Sequence, residues 1–212
     1  RRWPPGTIAG QNLLIVGLGA IGREGASVGR AFGMRVKGIR REPCGDAERA
    51  RGIHDSGDID ELLPWAEVVV NLLPLTAETE SFFDAERFAR MRPGSAFLNV
   101  SRGKTVDEGA LLNGLAKGKP KVAILDVFRE EPLPASHPLR ALDSVWITPH
   151  VAGISTIPVM AKDFAENWRR FRAGERHISR SGAGSAERAA QYSIERHSAN
   201  SAPLRASHSE IP

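Results

Sequence analysis

The chain has 212 residues, 41% hydrophobic and 25% charged, the balance of a globular protein with a sizeable core. Its 29 basic and 25 acidic residues leave a net charge of +4. Arginines outnumber lysines 23 to 6, but they form no long stripe and no zinc-ligand spacing appears, so neither a nucleic-acid partner nor a metal is expected.

No apolar run approaches the ~20 residues that span a bilayer, so no membrane partner is expected. Arg1-Arg2-Trp3-Pro4-Pro5 has no apolar run behind it, so no leader is expected either. The one cysteine, Cys44, rules out an internal disulfide framework and fits a reducing, cytoplasmic compartment.

Leu13-Leu14-Ile15-Val16 is a short continuous apolar run that ends in glycines, as a buried strand does. Helical spacing follows over residues 20–32, and alternation over 34–39 predicts a second strand. A short helix is expected at 59–63 before Pro64, and a strand at Val68-Val69-Val70. Residues 84–90 read as a helix that stops ahead of Pro93-Gly94, and 96–100 as a fourth strand. Residues 107–116 carry acids early and Lys117-Gly118 at their end, the polarity a helix dipole and C-cap favour. Strands at 122–125 and 145–147 and a closing helix at 155–173 complete the pattern. Strands separated by helices predict an α/β, Rossmann-type parallel sheet with helices on both faces.

The domain is therefore expected to span residues 1–174. Residues 175–212 read as a Ser/Arg-rich tail. From 179 onward there are eight serines and only four large apolar side chains, too little apolar surface to offset the entropy of ordering, so this tail is expected to be disordered.

Gly17-Leu18-Gly19-Ala20-Ile21-Gly22 is a G-x-G-x-x-G sequence between a predicted strand and a predicted helix, the context that gives it meaning. The first glycine permits the tight turn, the second admits a pyrophosphate to the backbone, and the third allows close helix–strand packing. The helix N-terminus then faces the diphosphate. At the end of the second strand, where an acid would hold the ribose hydroxyls of NAD, stand Arg40 and Arg41. Guanidinium groups attract a 2′-phosphate, so NADP is the expected cofactor and NAD the alternative.

Three segments present polar residues just after predicted strands, where ligands bind in open parallel sheets. They are Asn99-Val100-Ser101-Arg102-Gly103, Asp126-Val127-Phe128-Arg129-Glu130-Glu131-Pro132-Leu133-Pro134 and Ile147-Thr148-Pro149-His150. Pro149 biases Thr148 toward an extended backbone, so His150 leaves a rigid strand end.

With these segments in order, residues 12–174 resemble the cofactor-binding domain of the D-isomer-specific 2-hydroxyacid dehydrogenases. Gly17–Gly22, residues 31–36, Leu73-Pro74-Leu75-Thr76-Ala77-Glu78-Thr79, Asn99–Gly103, Asp126–Pro134 and Thr148–Gly153 carry the resemblance. Asn71-Leu72-Leu73-Pro74 together with Arg40-Arg41 looks most like the glyoxylate/hydroxypyruvate reductases.

The resemblance implies that Arg102 binds the carboxylate and carbonyl oxygen of a small 2-oxo acid. It implies that His150 protonates the carbonyl oxygen as hydride arrives, and that Glu131 hydrogen-bonds His150 and keeps it supplied with a proton. Glu130 competes for that last role. Asp126 is implied to approach the nicotinamide ribose or amide. Leu73, Pro74, Val100, Ser101 and Gly153 are implied to line the cofactor cleft.

The resemblance also implies a homodimer built through this domain, with the 107–116 helix as a candidate contact. Full-length members carry most of a substrate domain ahead of the glycine turn. Here the turn begins at residue 17, so that domain is expected to be largely missing. The leading expectation is an NAD(P)H-dependent reductase of a 2-oxo or 2-hydroxy acid. The alternatives are a dinucleotide-binding module without catalysis and formate oxidation, against which Glu131 argues.

Overall fold

A computed structural model of the chain describes residues 7–153 and 157–174. Seven parallel strands form one sheet: β1 Asn12–Val16, β2 Arg35–Arg40, β3 Ile53–Asp55, β4 Val68–Asn71, β5 Ala96–Asn99, β6 Val122–Leu125 and β7 Val145–Ile147. The spatial order is β3-β2-β1-β4-β5-β6-β7, so the order reverses at β1, between β2 and β4. Because every pairing is parallel, all seven carboxyl ends lie along one edge.

Period-two alternation divides the apolar residues between the faces of the sheet. Leu13 and Ile15 of β1 pack with Ala26 of α1 (Ala20–Ala31), joined by Leu18, Met34 and Val36. On the other face Leu14, Val16, Val69 and Phe97 meet Leu62 of α3 (Ile59–Leu62), Phe88 of α4 (Ala85–Arg90) and Leu111 of α5 (Glu108–Ala116). Phe83, Phe88 and Phe97 form edge-on and tilted ring pairs with centroids 4.8–6.0 Å apart at the centre of this second layer. The expected helices on both faces of a parallel sheet are present.

Boundaries shift by a residue where a side chain caps a helix. Asp84 and Asp107 precede α4 and α5 as N-caps, each accepting a backbone N–H at 2.9 Å, from Arg87 and Ala110. One strand and one α-helix escaped the sequence reading. β3 is a three-residue edge strand whose one large apolar residue is Ile53, too short to display alternation. α2 (Asp46–Ala50) buries none of its residues.

The chain divides into two compact units, Arg1–Lys162 and Asp163–Pro212, a division that falls inside α6 (Ile157–Arg172). Within the second unit Trp168 and Phe171 stack at 5.8 Å, and Arg170 pairs with Glu166 at 2.9 Å. The expected tail lies outside the described residues.

Candidate active site

The turn after β1 is built for close approach. Gly17 has φ +107°, and a Cβ there would lie 2.8 Å from the carbonyl carbon of Leu72 at the end of β4. A Cβ on Gly22 would meet the carbonyl oxygen of Gly17 at 2.5 Å, which sets the close helix–strand packing. At Gly19 a Cβ would meet nothing within 4 Å, so the second glycine borders open space. Gly19 is the N-cap of α1 but offers no side chain to the helix, and the first turn, which begins Ala20-Ile21-Gly22, carries no acid. The first backbone N–H groups of α1 are thus left for an anion. The cradle of Gly17, Gly19, Ala20, Ile21 and Gly22 has the donors and the open space that a diphosphate requires.

The two arginines after β2 differ. Arg40 is occupied: its guanidinium donates to the carbonyls of Glu42 and Pro43, at 3.3 and 3.0 Å, and to Glu48 at 2.9 Å. It therefore holds the loop that follows the strand. Arg41 is exposed. Across from it, the Thr76 hydroxyl holds the Glu78 carboxyl below its ordinary value, with the Glu78 backbone N–H and the Arg41 charge adding to the effect. The charge on the rim after β2 is thus felt at the loop after β4. Leu73 is half-buried and Pro74 exposed on that same loop, next to the glycine turn.

A buried amide cluster supports the ends of β4 and β5. Asn71 donates to the Thr105 hydroxyl at 2.7 Å and to Asn99 Oδ1 at 3.1 Å, and its own Oδ1 accepts the Leu73 N–H. Asn99 Oδ1 also accepts from the Ser101 N–H and hydroxyl, and Thr105 donates to the Arg102 carbonyl at 2.6 Å. Ser101 is thereby buried as a structural link, while Val100 beside it is half-buried. Sequence reasoning named Asn71 only within a family motif and passed over Thr105. For Asn71 the signal was a polar residue at the end of an apolar strand, which has to find partners when buried.

Arg102 emerges from this cluster exposed. Its guanidinium donates to the Ser101 carbonyl at 2.7 Å and has no ion-pair partner among the described residues. The neighbouring Gly103 is pressed against the loop after β6: a Cβ there would stand 1.8 Å from the Phe128 carbonyl carbon. The loop carrying Arg102 and the loop carrying Glu131 are therefore in backbone contact.

His150 follows β7 with φ +54°, unusual for a residue with a side chain. Its Nδ1 donates to Glu131 Oε2 at 2.8 Å, which directs Nε2 away from the carboxylate. Glu131 Oε1 accepts the Phe128 N–H at 2.9 Å. The partner of His150 is thus Glu131 and not Glu130. Asp126 lies beneath, 2% exposed, and accepts from Thr148, Val151 and Ala152. Gly153 is exposed at the end of this stretch, with open space around it.

Burial alone would raise the Glu131 carboxyl, but the His150 ring and the Phe128 N–H overcome that and hold it below its ordinary 4.5. Asp126 follows the same logic: burial opposes, and its three hydrogen bonds with the nearby His150 prevail, so it lies below its ordinary 3.8. A carboxyl depressed by folding stabilises the fold fully above its unfolded value and loses that contribution as pH falls through its folded value. Melting temperature is therefore expected to drop with acidification below those ordinary values. Glu131→Gln is expected to flatten part of that slope in melts followed across the acid range, and an unchanged slope would contradict the assignment.

Elsewhere on the rim, Arg49 pairs with Asp55 at 2.7 Å and with Asp58, while the Cys44 thiol donates to Asp55. These contacts tie the loop after β2 to β3.

Comparison with known proteins places the architecture. Residues 1–152 match the family described as D-isomer specific 2-hydroxyacid dehydrogenase, NAD binding domain. A glyoxylate reductase of Korarchaeum cryptofilum is 39% identical over 173 residues, covering 79% of this chain and 51% of that protein. Glyoxylate/hydroxypyruvate reductase B of Escherichia fergusonii is 39% identical over 150 residues, covering 70% and 46%. The chain therefore spans about half the length of these relatives. Among solved structures, a D-isomer specific 2-hydroxyacid dehydrogenase of Xanthobacter autotrophicus in complex with NADPH and MES superposes with TM-score 0.73 at 38% identity, covering 82% of this chain and 72% of that one. An NADPH-dependent glyoxylate/hydroxypyruvate reductase of Sinorhizobium meliloti in complex with NADP and sulfate gives 0.72 at 29%, covering 82% and 56%.

Proposed function

Since the chain belongs to the D-isomer specific 2-hydroxyacid dehydrogenases through their NAD binding domain, we propose that it is the cofactor half of an NADP-preferring reductase of a small 2-oxo acid such as glyoxylate. The observation that carries this reading is the 2.8 Å pair of His150 and Glu131, at the same sheet edge as the glycine turn. When bound, the reduced nicotinamide supplies the hydride.

The chain's own residues do the rest. Arg102, exposed and unpaired among the described residues, offers a planar fork of donors to the substrate carboxylate. His150, fixed through Nδ1, presents Nε2 as the proton donor to the carbonyl oxygen. Glu131 keeps the ring oriented. The loops of Arg102 and Glu131 are locked together at Gly103, so the anion-binding and proton-donating groups share one frame.

The preference for NADP rests on Arg41 rather than Arg40, whose guanidinium already serves the loop. Arg41→Ser is expected to weaken NADPH binding about tenfold or more, the loss of a charge-assisted bond to a 2′-phosphate, and to leave NADH nearly unchanged. Fluorescence titration of both cofactors checks this, and equal losses for both would remove the assignment. NADP bound to the solved neighbours supports the same choice.

The reaction itself is tested by following NADPH consumption with glyoxylate beside NADPH titration alone. Turnover supports the reductase. Binding without turnover supports a dinucleotide-binding module instead.

The proposal extends to a homodimer in the cytoplasm. Ile21, Val28 and Phe32 stand exposed at helical spacing along α1 and its C-cap, an apolar strip suited to a second copy. The other candidate contact, α5, turns Ala110, Leu111 and Gly114 into the core and leaves Gly109, Asn113 and Ala116 exposed. Among the described residues no helix is long and apolar enough to cross a membrane.

A further inference from the structure

A relay of hydrogen bonds runs from the loop after β4 to the backbone of Arg102. It begins at the Leu73 N–H, which donates to Asn71 Oδ1 at 3.1 Å. A backbone N–H only donates, so the amide oxygen of Asn71 faces Leu73 and its amide nitrogen faces the other way. That nitrogen donates to the Thr105 hydroxyl at 2.7 Å. The hydroxyl has a single proton. With its oxygen accepting from Asn71, it gives that proton to the Arg102 carbonyl at 2.6 Å. Ser101 Oγ stands 3.4 Å from the same hydroxyl, but its own proton goes to Asn99 Oδ1 at 2.9 Å. Polarity is thus set at every step from Leu73 to Arg102.

The Arg102 carbonyl is where these bonds converge. It also accepts the Thr105 N–H at 3.2 Å and Asn99 Nδ2 at 3.4 Å. Asn71 and Thr105 are wholly buried, so a bond lost there leaves an unsatisfied group and not a solvated one. With no exposed surface, Thr105 does not reach a ligand. What it holds is the backbone from which an exposed guanidinium extends.

We infer that Thr105 is a positioning residue for the anion-binding arginine: its hydroxyl, oriented by Asn71, holds the Arg102 carbonyl and so fixes where the guanidinium stands. This rests on the proposed binding of a substrate carboxylate by Arg102.

The test uses the full chain loaded with NADPH, and oxamate as an unreactive mimic of a 2-oxo acid. Arg102 is modified with phenylglyoxal, and the peptide that carries it is followed by mass spectrometry. Thr105→Val keeps the shape and removes the hydroxyl. The oxamate concentration that halves the modification rate is expected to rise about fivefold or more. Thr105→Ser keeps the hydroxyl and is expected to stay within about twofold of the unsubstituted chain. NADPH affinity, read by fluorescence, is expected to hold within about threefold in both variants. A role in stability alone would lower the melting temperature and leave the oxamate requirement where it was.

Equal oxamate requirements in Thr105→Val, Thr105→Ser and the unsubstituted chain would overturn the inference, as would a parallel loss of NADPH affinity. Should Thr105→Val fail to fold, Thr105→Ala takes its place against Thr105→Ser, from which it differs only by the hydroxyl, and equal requirements again overturn it. If oxamate does not protect Arg102 in the unsubstituted chain, the carboxylate-binding reading of Arg102 falls, and hydrogen exchange still judges the clamp. The Val106 N–H donates to the Gly103 carbonyl at 3.0 Å in the same turn. Its exchange about tenfold faster in Thr105→Val but not in Thr105→Ser upholds the clamp, and no change in either overturns it.

Discussion

Gly103→Ala is expected to destabilise the domain by about 3 kcal/mol or more, a large share of the ~5–15 kcal/mol typical of a folded domain. The cause is steric and local. The added Cβ would lie 1.8 Å from the carbonyl carbon of Phe128, 1.9 Å from its oxygen and 2.5 Å from the nitrogen of Arg129. These are backbone atoms, so no rotamer change relieves the clash, and one of the two loops must withdraw. Phe128 is 7% exposed, and the Arg129 N–H is bound to Glu108 at 2.8 Å, so withdrawal also costs packing and a charge-assisted bond. In urea denaturation the midpoint should fall with the slope unchanged. A midpoint equal to that of the unsubstituted chain would mean that the two loops are not in contact. Because the loops carry Arg102 and Glu131, any variant that remains folded should also lose the common frame of the anion-binding and proton-donating groups.

His150→Gln is expected to lower the turnover of glyoxylate by about 100- to 10,000-fold, the range that a positioned acid contributes, with NADPH affinity little changed. Glutamine can hydrogen-bond Glu131 but cannot pass on a proton. The separation of effects matters: the glycine turn and Arg41 are the groups proposed to hold the cofactor, whereas His150 follows β7, four strands from β1 in the sheet order. Steady-state rates paired with fluorescence titration measure both quantities. Turnover undiminished by the substitution would remove His150 from the chemistry, and a parallel loss of NADPH affinity would make it a binding residue.

The elements best read from the sequence were those with the strongest local signal. Strands such as Leu13–Val16 and Val122–Leu125 are buried in a parallel sheet, so they appear as continuous apolar runs. The helices at 85–90 and 108–116 announce themselves through Asp84 and Asp107, which cap them within four residues of chain. β3 has no such signature, since an edge strand of three residues is held by its pairing of Gly38 with Ile53 and Arg40 with Asp55, contacts remote in sequence. The glycine turn was legible because Gly17 and Gly22 answer steric demands within a few residues or against the neighbouring strand, while Gly19 borders open space.

The candidate site divided along the same line. Arg102, Glu131 and His150 were legible as polar residues following successive strands, and their order along one sheet edge follows from parallel topology alone. Which residue serves which partner was a matter of distances across the fold. Glu130 and Glu131 are equivalent as letters, and only the turn geometry brings Glu131 to His150 at 2.8 Å. Arg40 and Arg41 are likewise adjacent and alike, yet Glu48 and the Pro43 carbonyl engage the first and leave the second exposed. Asp126 read as a residue approaching the cofactor, and the donors its carboxylate accepts from lie some 22 to 26 residues downstream. Apolar periodicity, caps and glycine sterics act over short stretches of chain, so the family, six of the seven strands and the sheet edge carrying the candidate residues could be read from the amino acids alone. Hydrogen-bond partnership depends on ångström-scale approach between distant segments, so the partners of Glu131, Arg40 and Asp126 emerged only from the folded chain.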